Sequence, residues 1–377
     1  MSQSEIELEA TPALLLDRTK FEHNVARMRT TIARWPGVQL RPHLKTAKSI
    51  PVAELVSPER GPITVSTLRE AEEFAKHGFN DITYAVGITP EKLKRAAALN
   101  RGPGRVSIIL DSVAAAESVA AFADAEGLRI PTLIEVDSDG HRGGVPPGDP
   151  TVVAIGDVLA RAGALQGVLT HAGGSYSARS TDEISAYATR EREGALQAAD
   201  QLRAAGLPGP VVSVGSTPTA LFSTDLSGVT EVRAGVYMFQ DLVMAGIGIC
   251  QPMEIALSVL TSVIGHQHHL GQLIVDAGWM ALSRDRGTQH QSLDCGFGLV
   301  CNLQGRILDD LQVIQTNQEH GVVARRSQVP LDLQDFPIGS KLRILPNHAC
   351  ATAAQHSYYA VISSGRVVDQ WARFGQW

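Results

Sequence analysis

The sequence predicts a (β/α)8 barrel followed by an all-β domain, and two observations carry that prediction. From about residue 38 to 240, eight short β-branched, apolar segments alternate with longer stretches rich in Ala, Glu and Arg. After about Cys250 the helical stretches stop, and strand-like segments follow one another with no long amphipathic helix between them. A chain of 377 residues has room for one large domain and a smaller one. An open, doubly wound sheet is the competing architecture for the same alternation.

In chain order, Ala13–Asp17 reads as a strand ahead of a helix at Lys20–Arg34, and it either completes the β domain or leads into the barrel. The barrel strands are expected at Val38–His43, Pro62–Ser66, Asp81–Val86, Val106–Asp111, Thr132–Asp137, Gln166–His171, Val211–Gly215 and Glu231–Gly235. Helices fall between them at Thr67–His77, Pro90–Asn100, Ser112–Ala125 and Glu183–Ala205, the last long and rich in Ala. Strand-like segments of the second domain are Glu254–Ile264, Gln272–Asp276, Lys341–Leu345 and Tyr359–Ile362. The expected domains are therefore 10–250 for the barrel and 251–377 for the β domain, with residues 1–17 as a candidate addition to the latter.

Composition excludes several function classes. Hydrophobic residues make up 44% and charged residues 19%, as in a soluble globular enzyme. The net charge is -6 and no stripe of Lys and Arg stands out, so nucleic-acid binding has no electrostatic support. Met1–Ala10 is acidic without an apolar core, unlike a signal peptide, and no run reaches the length of a membrane span. Cys250, Cys295, Cys301 and Cys350 are widely spaced without a CxxC, which points to a cytoplasmic protein with free thiols.

Lys45, in Arg41-Pro42-His43-Leu44-Lys45-Thr46, follows the first strand and opens what reads as a helix. An amine at a strand's C-terminal end, partly withdrawn from water, can lose its proton near neutral pH and form an imine with an aldehyde cofactor. A solvated surface lysine is the competing reading. In barrels of this kind catalytic groups stand at the C-terminal strand ends, and phosphate binds at the loops after the seventh and eighth strands. The seventh ends in Gly215-Ser216-Thr217-Pro218-Thr219, where exposed N–H groups at a helix start could hold a dianion. An ordinary hydroxyl N-cap is the alternative there. After the eighth, Gly235-Val236-Tyr237 has a glycine that permits close approach of a ligand. Arg142, in the turn Asp139-Gly140-His141-Arg142-Gly143-Gly144, could meet a cofactor ring or a carboxylate. His171 and Tyr176, in His171-Ala172-Gly173-Gly174-Ser175-Tyr176, reach the same face.

Near the C-terminus stands Pro346-Asn347-His348-Ala349-Cys350. A His and a Cys two apart on an extended segment point the same way and can share one metal ion. Imidazole with thiolate favours zinc over magnesium or calcium, and two ligands leave positions open for water and substrate. A buried cysteine beside a capping histidine is the plain alternative. His266, His268 and His269 form a second cluster, read as solvated side chains in a polar turn.

Arg41–Thr46, Gly215–Thr219, Glu231–Tyr237 and Pro346–Cys350, in this order and across essentially the whole chain, resemble the D-threonine aldolase/D-serine dehydratase family. These are fold-type III pyridoxal-phosphate enzymes with an alanine-racemase-like barrel and a C-terminal β domain. The stretches Gly215–Leu221, Asp276–Ala281 and Ser283–Thr288 carry a finer likeness, to members that dehydrate D-threo-3-hydroxyaspartate. The resemblance implies that Lys45 holds pyridoxal 5'-phosphate covalently and serves as the catalytic base. It implies that Gly215, Ser216 and Thr217, with Gly235, Val236 and Tyr237, hold the phosphate, and that Arg142 and Tyr176 contact the cofactor. It implies that His348 and Cys350 bind a divalent metal, zinc ahead of manganese, cobalt or magnesium. Aldolase members often carry aspartate at the second metal position, so Cys350 leans toward a dehydratase.

The implied activity is dehydration of a D-3-hydroxy amino acid, best D-threo-3-hydroxyaspartate to oxaloacetate and ammonia, with D-serine as another substrate. Retro-aldol cleavage to glycine and an aldehyde is the alternative within catalysis, and racemisation a third. A non-catalytic pyridoxal-phosphate protein is the alternative outside it, against which the β domain argues. A homodimer is implied by the fold type alone. Arg142, His356 and the Arg284-Asp285-Arg286 turn are all candidates for a second substrate carboxylate.

Overall fold

The structure is a computed structural model that describes Ile6, Leu8 and residues 10–102 and 104–377. The part of the expected N-terminal contribution that falls on residues 1–5, 7 and 9 lies outside the described residues. The described residues form two compact units: those up to Ala26 with Val236–Gly375, and Arg27–Gly235 with the last two residues. The change comes at Gly235/Val236, ahead of the expected boundary near 250. Residues after Val236 belong with the β unit because Leu242 and Val243 donate their N–H groups to the Pro346 and Asn347 carbonyls.

The unit around Arg27–Gly235 is a closed barrel. Its eight strands are Gln39–Pro42, Ile63–Val65, Asp81–Gly87, Arg105–Leu110, Thr132–Val136, Leu165–Thr170, Val211–Val214 and Glu231–Ala234, all paired in parallel. Arg41 lies opposite Arg233, which joins the first strand to the last. A parallel bridge between His43 and Thr64 joins the first to the second, so the ring closes and the open-sheet alternative fails. Every expected barrel strand is present, with its ends moved by about a residue.

The helices begin where hydroxyl side chains satisfy their first N–H groups. Thr67 accepts from Glu70, Ser112 from Ala115 and Ser180 from Glu183; each such cap stabilises a helix by about 1 kcal/mol. The long helix Thr181–Ala204 buries Ile184, Ala188, Ala195, Ala198, Ala199 and Leu202 on one stripe. Small residues on that stripe let the helix lie close against the strands Leu165–Thr170 and Val211–Val214. One charged residue, Glu191, interrupts the stripe and is buried.

Buried polar and charged residues share the barrel strands with an aliphatic cluster of Ile109, Leu133 and Leu169. Residues two apart on a strand share a face, so Arg41 and His43 point one way, as do Glu231 and Arg233. Arg41 Nε donates to Glu231 Oε2 at 2.7 Å, and its terminal nitrogens donate to Asp81 at 3.0 and 3.1 Å. Arg233 donates to the Ser213 hydroxyl and to the Thr170 carbonyl. Arg41 is thus paired with two carboxylates, and Arg233 reaches Glu231 through the Ser213 hydroxyl, as burial of these charges requires.

The other unit is built on a nine-stranded sheet. Leu257–Gln267, Lys341–Leu345, Leu299–Cys301, Ile307–Thr316, Gly321–Arg325 and Gln272–Val275 pair in that order, and the last returns to the first to close an antiparallel ring. Ala13–Asp17 pairs antiparallel with Leu257–Gln267 and parallel with Tyr358–Ser363, which carries Arg366–Ala372 on its far edge. His266 stands at the end of Leu257–Gln267, half-buried, with Nε2 at 2.8 Å from the Phe336 carbonyl. It is therefore a tethered strand residue rather than a solvated turn residue, whereas His268 and His269 are exposed. Among the described residues no helix is long and apolar enough to cross a membrane.

Candidate active site

At the C-terminal end of the barrel, Lys45 lies in a turn over residues 44–47, and the following helix starts only at Ile50. It therefore does not open a helix, and it is exposed rather than withdrawn from water. The turn is pinned on both sides: Leu44 and Ala47 are buried, Leu44 N donates to the Thr64 carbonyl at 2.9 Å, and Lys48 N donates to the Leu44 carbonyl at 2.9 Å.

Two imidazoles sit behind Lys45. His43 Nε2 is 2.9 Å from Ser66 Oγ, and His171 Nδ1 is 2.9 Å from the Gly215 carbonyl. Burial first, then the charges of Lys45 and Arg233, holds His43 well below the usual histidine range. Burial likewise pushes His171 down to about 3; its bond to Gly215 opposes this, while Lys45, Arg233 and Arg142 add to it. Both rings are thus neutral at pH 7. A carbonyl only accepts, so the His171 proton is on Nδ1 and Nε2 is left as an acceptor. Lys45, Arg142 and Arg233 make this end of the barrel electropositive, which fits a phosphate dianion and a carboxylate.

The loop after the seventh strand is more occupied than its sequence suggests. Glu191 takes the backbone N–H of Gly215 at 3.0 Å and that of Ala172 at 2.8 Å, with a further hydrogen bond from the Thr219 side chain. The Ser216 N–H goes to Thr219 Oγ1 at 3.0 Å, and Thr219 N returns to Ser216 Oγ at 3.2 Å, completing a capping box. Ser216 Oγ is also 2.9 Å from Ser175 Oγ. A phosphate here would thus rest on hydroxyls and on the cationic field rather than on the Gly215 and Ser216 amides. Gly215 has φ 131°, and a Cβ there would lie 2.2 Å from the Arg233 carbonyl oxygen, so no side chain fits. Gly235 is needed for a related reason: its Cβ would stand 2.9 Å from the His43 carbonyl oxygen. The His43 backbone, just past the first strand, is what a side chain at position 235 would meet.

Arg142 is largely exposed, with Nη2 3.7 Å from Glu135 Oε1. Tyr176 lies in a short 3-10 turn, Gly173–Ser177, its ring 6.1 Å from that of His171. The loops that carry Arg142 and Tyr176 are tied together by the Gly174 N–H, which donates to Asp139 Oδ2 at 2.8 Å. Val236 and Tyr237 are buried in the next short turn, Val236–Met238.

In the β unit, His348 and Cys350 are not on an extended segment. His348 is the N-cap residue of the short helix Ala349–Ala353, and Cys350 lies in its first turn. The pair still meets: a hydrogen bond joins the two side chains. His348 Nδ1 is 2.6 Å from Asp285 Oδ2. Burial would lower the His348 pKa, but Asp285 and Cys350 outweigh it and raise it to about 11. The Asp285 carboxyl is held below its usual range by the same hydrogen bond. Neighbouring groups fix the segment. Asp241 accepts the Ala349 N–H at 2.9 Å, and Asn347 Nδ2 donates to the Gly296 and Asp285 carbonyls at 2.6 and 3.2 Å. Imidazole and thiol side by side form a donor set of the kind zinc takes. Among the described residues no group of three or more His, Cys, Asp or Glu side chains is arranged to hold a metal.

The candidates for a second substrate carboxylate are differently engaged. Arg286 pairs with Asp294, His356 Nε2 donates to the Ala281 carbonyl at 3.0 Å, and Arg284 lies over the Trp279 ring at 3.7 Å. Sequence reasoning missed Glu191 and Asp241. The signal for Glu191 was present, as a lone acid on the buried stripe of an Ala-rich helix.

A closed parallel barrel with a lysine turn and a hydroxyl-capped helix start at its C-terminal end, plus a β unit that is largely antiparallel, matches the alanine-racemase-like class of pyridoxal-phosphate enzymes. Residues 16–242 match the alanine racemase N-terminal domain, and residues 256–362 match the putative serine dehydratase domain. The chain is 51% identical over 373 residues to D-threo-3-hydroxyaspartate dehydratase of Delftia sp. strain HT23, covering 97% of this chain and 98% of that one. It is 30% identical to D-serine dehydratase of Dictyostelium discoideum (94% and 93% covered) and 30% identical to 3-hydroxy-D-aspartate aldolase of Paracoccus denitrificans (98% and 92%). The solved Delftia structure superposes with a TM-score of 0.96 over 98% of each chain. A cysteine-to-alanine mutant of D-threo-3-hydroxyaspartate dehydratase, described as the metal-free form, superposes at 0.95 over 98% of each chain. The chain belongs to the D-threonine aldolase/D-serine dehydratase family and is a pyridoxal-phosphate-dependent lyase.

Proposed function

We propose that this enzyme dehydrates D-threo-3-hydroxyaspartate to oxaloacetate and ammonia, with Lys45 carrying the cofactor and His348 and Cys350 holding a divalent metal, zinc by their chemistry. The observation that carries the reading is the hydrogen-bonded His348–Cys350 pair. An imidazole with a thiol suits a soft, tetrahedral cation with open positions. Solved structures of D-threo-3-hydroxyaspartate dehydratase include a histidine-to-alanine and a cysteine-to-alanine mutant at sites two residues apart, the spacing of His348 and Cys350, and the cysteine mutant is described as metal-free.

When bound, pyridoxal phosphate supplies an electron sink that lets the substrate's α-proton leave. The metal supplies a Lewis acid for the β-hydroxyl, which is a poor leaving group by itself. The chain's residues do the rest. Lys45, which would hold the cofactor through Nζ, would also be the base for the substrate's α-proton. His43 and His171, both neutral, back the cofactor end without adding charge. Arg142, Tyr176 and the hydroxyls of Ser216 and Thr217 would orient the cofactor, with Val236 and Tyr237 as further proposed phosphate contacts. Glu191 keeps the loop after the seventh strand in place through the Gly215 N–H. Loss of the hydroxyl as water leaves an enamine, which tautomerises and takes up water to give the 2-oxo acid and ammonia. We propose a cytoplasmic location, on four cysteines that form no disulfide, and a homodimer, on the fold type.

The test offers D-serine, D-threonine and D-threo-3-hydroxyaspartate in parallel, measuring ammonia and 2-oxo acid against glycine and aldehyde. Highest kcat/KM for hydroxyaspartate with ammonia released supports the reading. Glycine and aldehyde as the main products would instead make the enzyme an aldolase.

A further inference from the structure

We propose that Asp285 is a positioning residue whose carboxylate fixes the His348 ring so that Nε2, and not Nδ1, is presented to the metal. The inference rests on the reading of His348 and Cys350 as metal ligands and adds a residue to it. Asp285 Oδ2 lies 2.6 Å from His348 Nδ1. A carboxylate only accepts, so the ring proton on that side is committed to it and Nε2 faces away. A carboxylate behind a metal-binding imidazole sets its tautomer, aims the ring and raises its basicity, and loss of such partners typically weakens metal binding by about 10–100-fold.

Asp285 is itself held in place. Its carboxylate takes a hydrogen bond from the Gly287 backbone, and its N–H donates to Ser283 Oγ at 3.2 Å. Its carbonyl accepts Asn347 Nδ2 at 3.2 Å, so one side chain links this turn to the residue preceding His348. Ser283, two residues ahead, has φ 77°, a left-handed conformation that costs a non-glycine residue energy and must be enforced by its surroundings. The chain thus spends local strain where it brings the carboxylate to the imidazole. Asp285 Oδ2 is engaged by His348, and the carboxylate also takes the Gly287 backbone hydrogen bond. The geometry therefore points to support of the ligand rather than to ligation.

The test measures metal affinity directly. Holoenzyme is stripped with a chelator and titrated with Zn2+ against a chromogenic competitor, and with Co2+ for its d–d spectrum, for wild type, Asp285→Asn, Asp285→Glu and Cys350→Ala. Asp285→Asn is expected to weaken Zn2+ by about 10–100-fold with the position of the Co2+ bands and the cofactor absorbance unchanged, and Asp285→Glu to recover part of the loss. Wild-type Zn2+ affinity in Asp285→Asn, alongside lost affinity in Cys350→Ala, overturns the positioning role alone. Co2+ bands that move to another coordination number in Asp285→Asn overturn it too, making Asp285 a ligand. Wild-type affinity in Cys350→Ala would bring down the underlying metal reading instead.

Discussion

Glu191, on the inner stripe of the long helix, receives the Gly215 N–H at 3.0 Å and so ties the helix to the end of the seventh barrel strand. The same oxygen takes the Ala172 N–H from the end of the sixth. One buried acid therefore sets the spacing of two active-site loops. Burial raises its pKa, while the Thr219, Ala172 and Gly215 hydrogen bonds and Arg233 oppose the rise.

Replacing Glu191 by Ala strands two buried backbone donors, at about 1–3 kcal/mol for each unsatisfied group. Chemical denaturation is expected to show a loss of about 2–6 kcal/mol for the two together, and cofactor affinity to fall with it. Glu191→Gln keeps an acceptor and should lose much less. Equal stability for Ala and wild type would show that the loops do not depend on this side chain.

Lys45→Ala should abolish the visible absorbance of bound cofactor and its fixation by borohydride, with turnover down by at least about 10²–10⁴-fold from loss of the base. Persistence of the band in the mutant, after gel filtration, would remove Lys45 from its role.

Cys350→Ala should leave the cofactor bound while metal content and turnover collapse together, turnover falling by about 10²-fold or more. A mutant that retains stoichiometric zinc would separate Cys350 from the metal.

His171 makes the fold acid-sensitive. Its folded pKa of about 3 lies below the unfolded histidine value near 6.5, so in that window the unfolded chain binds the extra proton. Stability is therefore full above pH 6.5 and declines as the pH falls toward 3, by up to about 1.4 kcal/mol per pH unit for one proton. His171→Asn, which can still donate to the Gly215 carbonyl, should flatten this acid limb. An unchanged pH dependence of the unfolding free energy in the mutant would contradict the assignment.

The barrel was legible because parallel strands covered on both faces read as short β-branched runs between Ala-rich helices. The lysine turn and the His348–Cys350 pair were legible as residue types at fixed spacings, although their local conformations were not. Strands such as Ile307–Thr316 were missed because Asp309 and Asp310 and several half-exposed polar residues blur their alternation. The supporting acids were hidden for another reason. Asp285 reaches His348 across 63 positions, and Asp241 reaches Ala349 across 108, separations that no local pattern records. Asp285 could be noted only as part of a charged turn, and the fold alone shows which side chain it serves.

The central claim is tested most directly by the products formed from D-threo-3-hydroxyaspartate before and after the metal is removed. The account predicts equal amounts of oxaloacetate and ammonia, lost on chelation and restored by adding back Zn2+. Glycine with glyoxylate as the products, or full dehydration by metal-free enzyme, would contradict it.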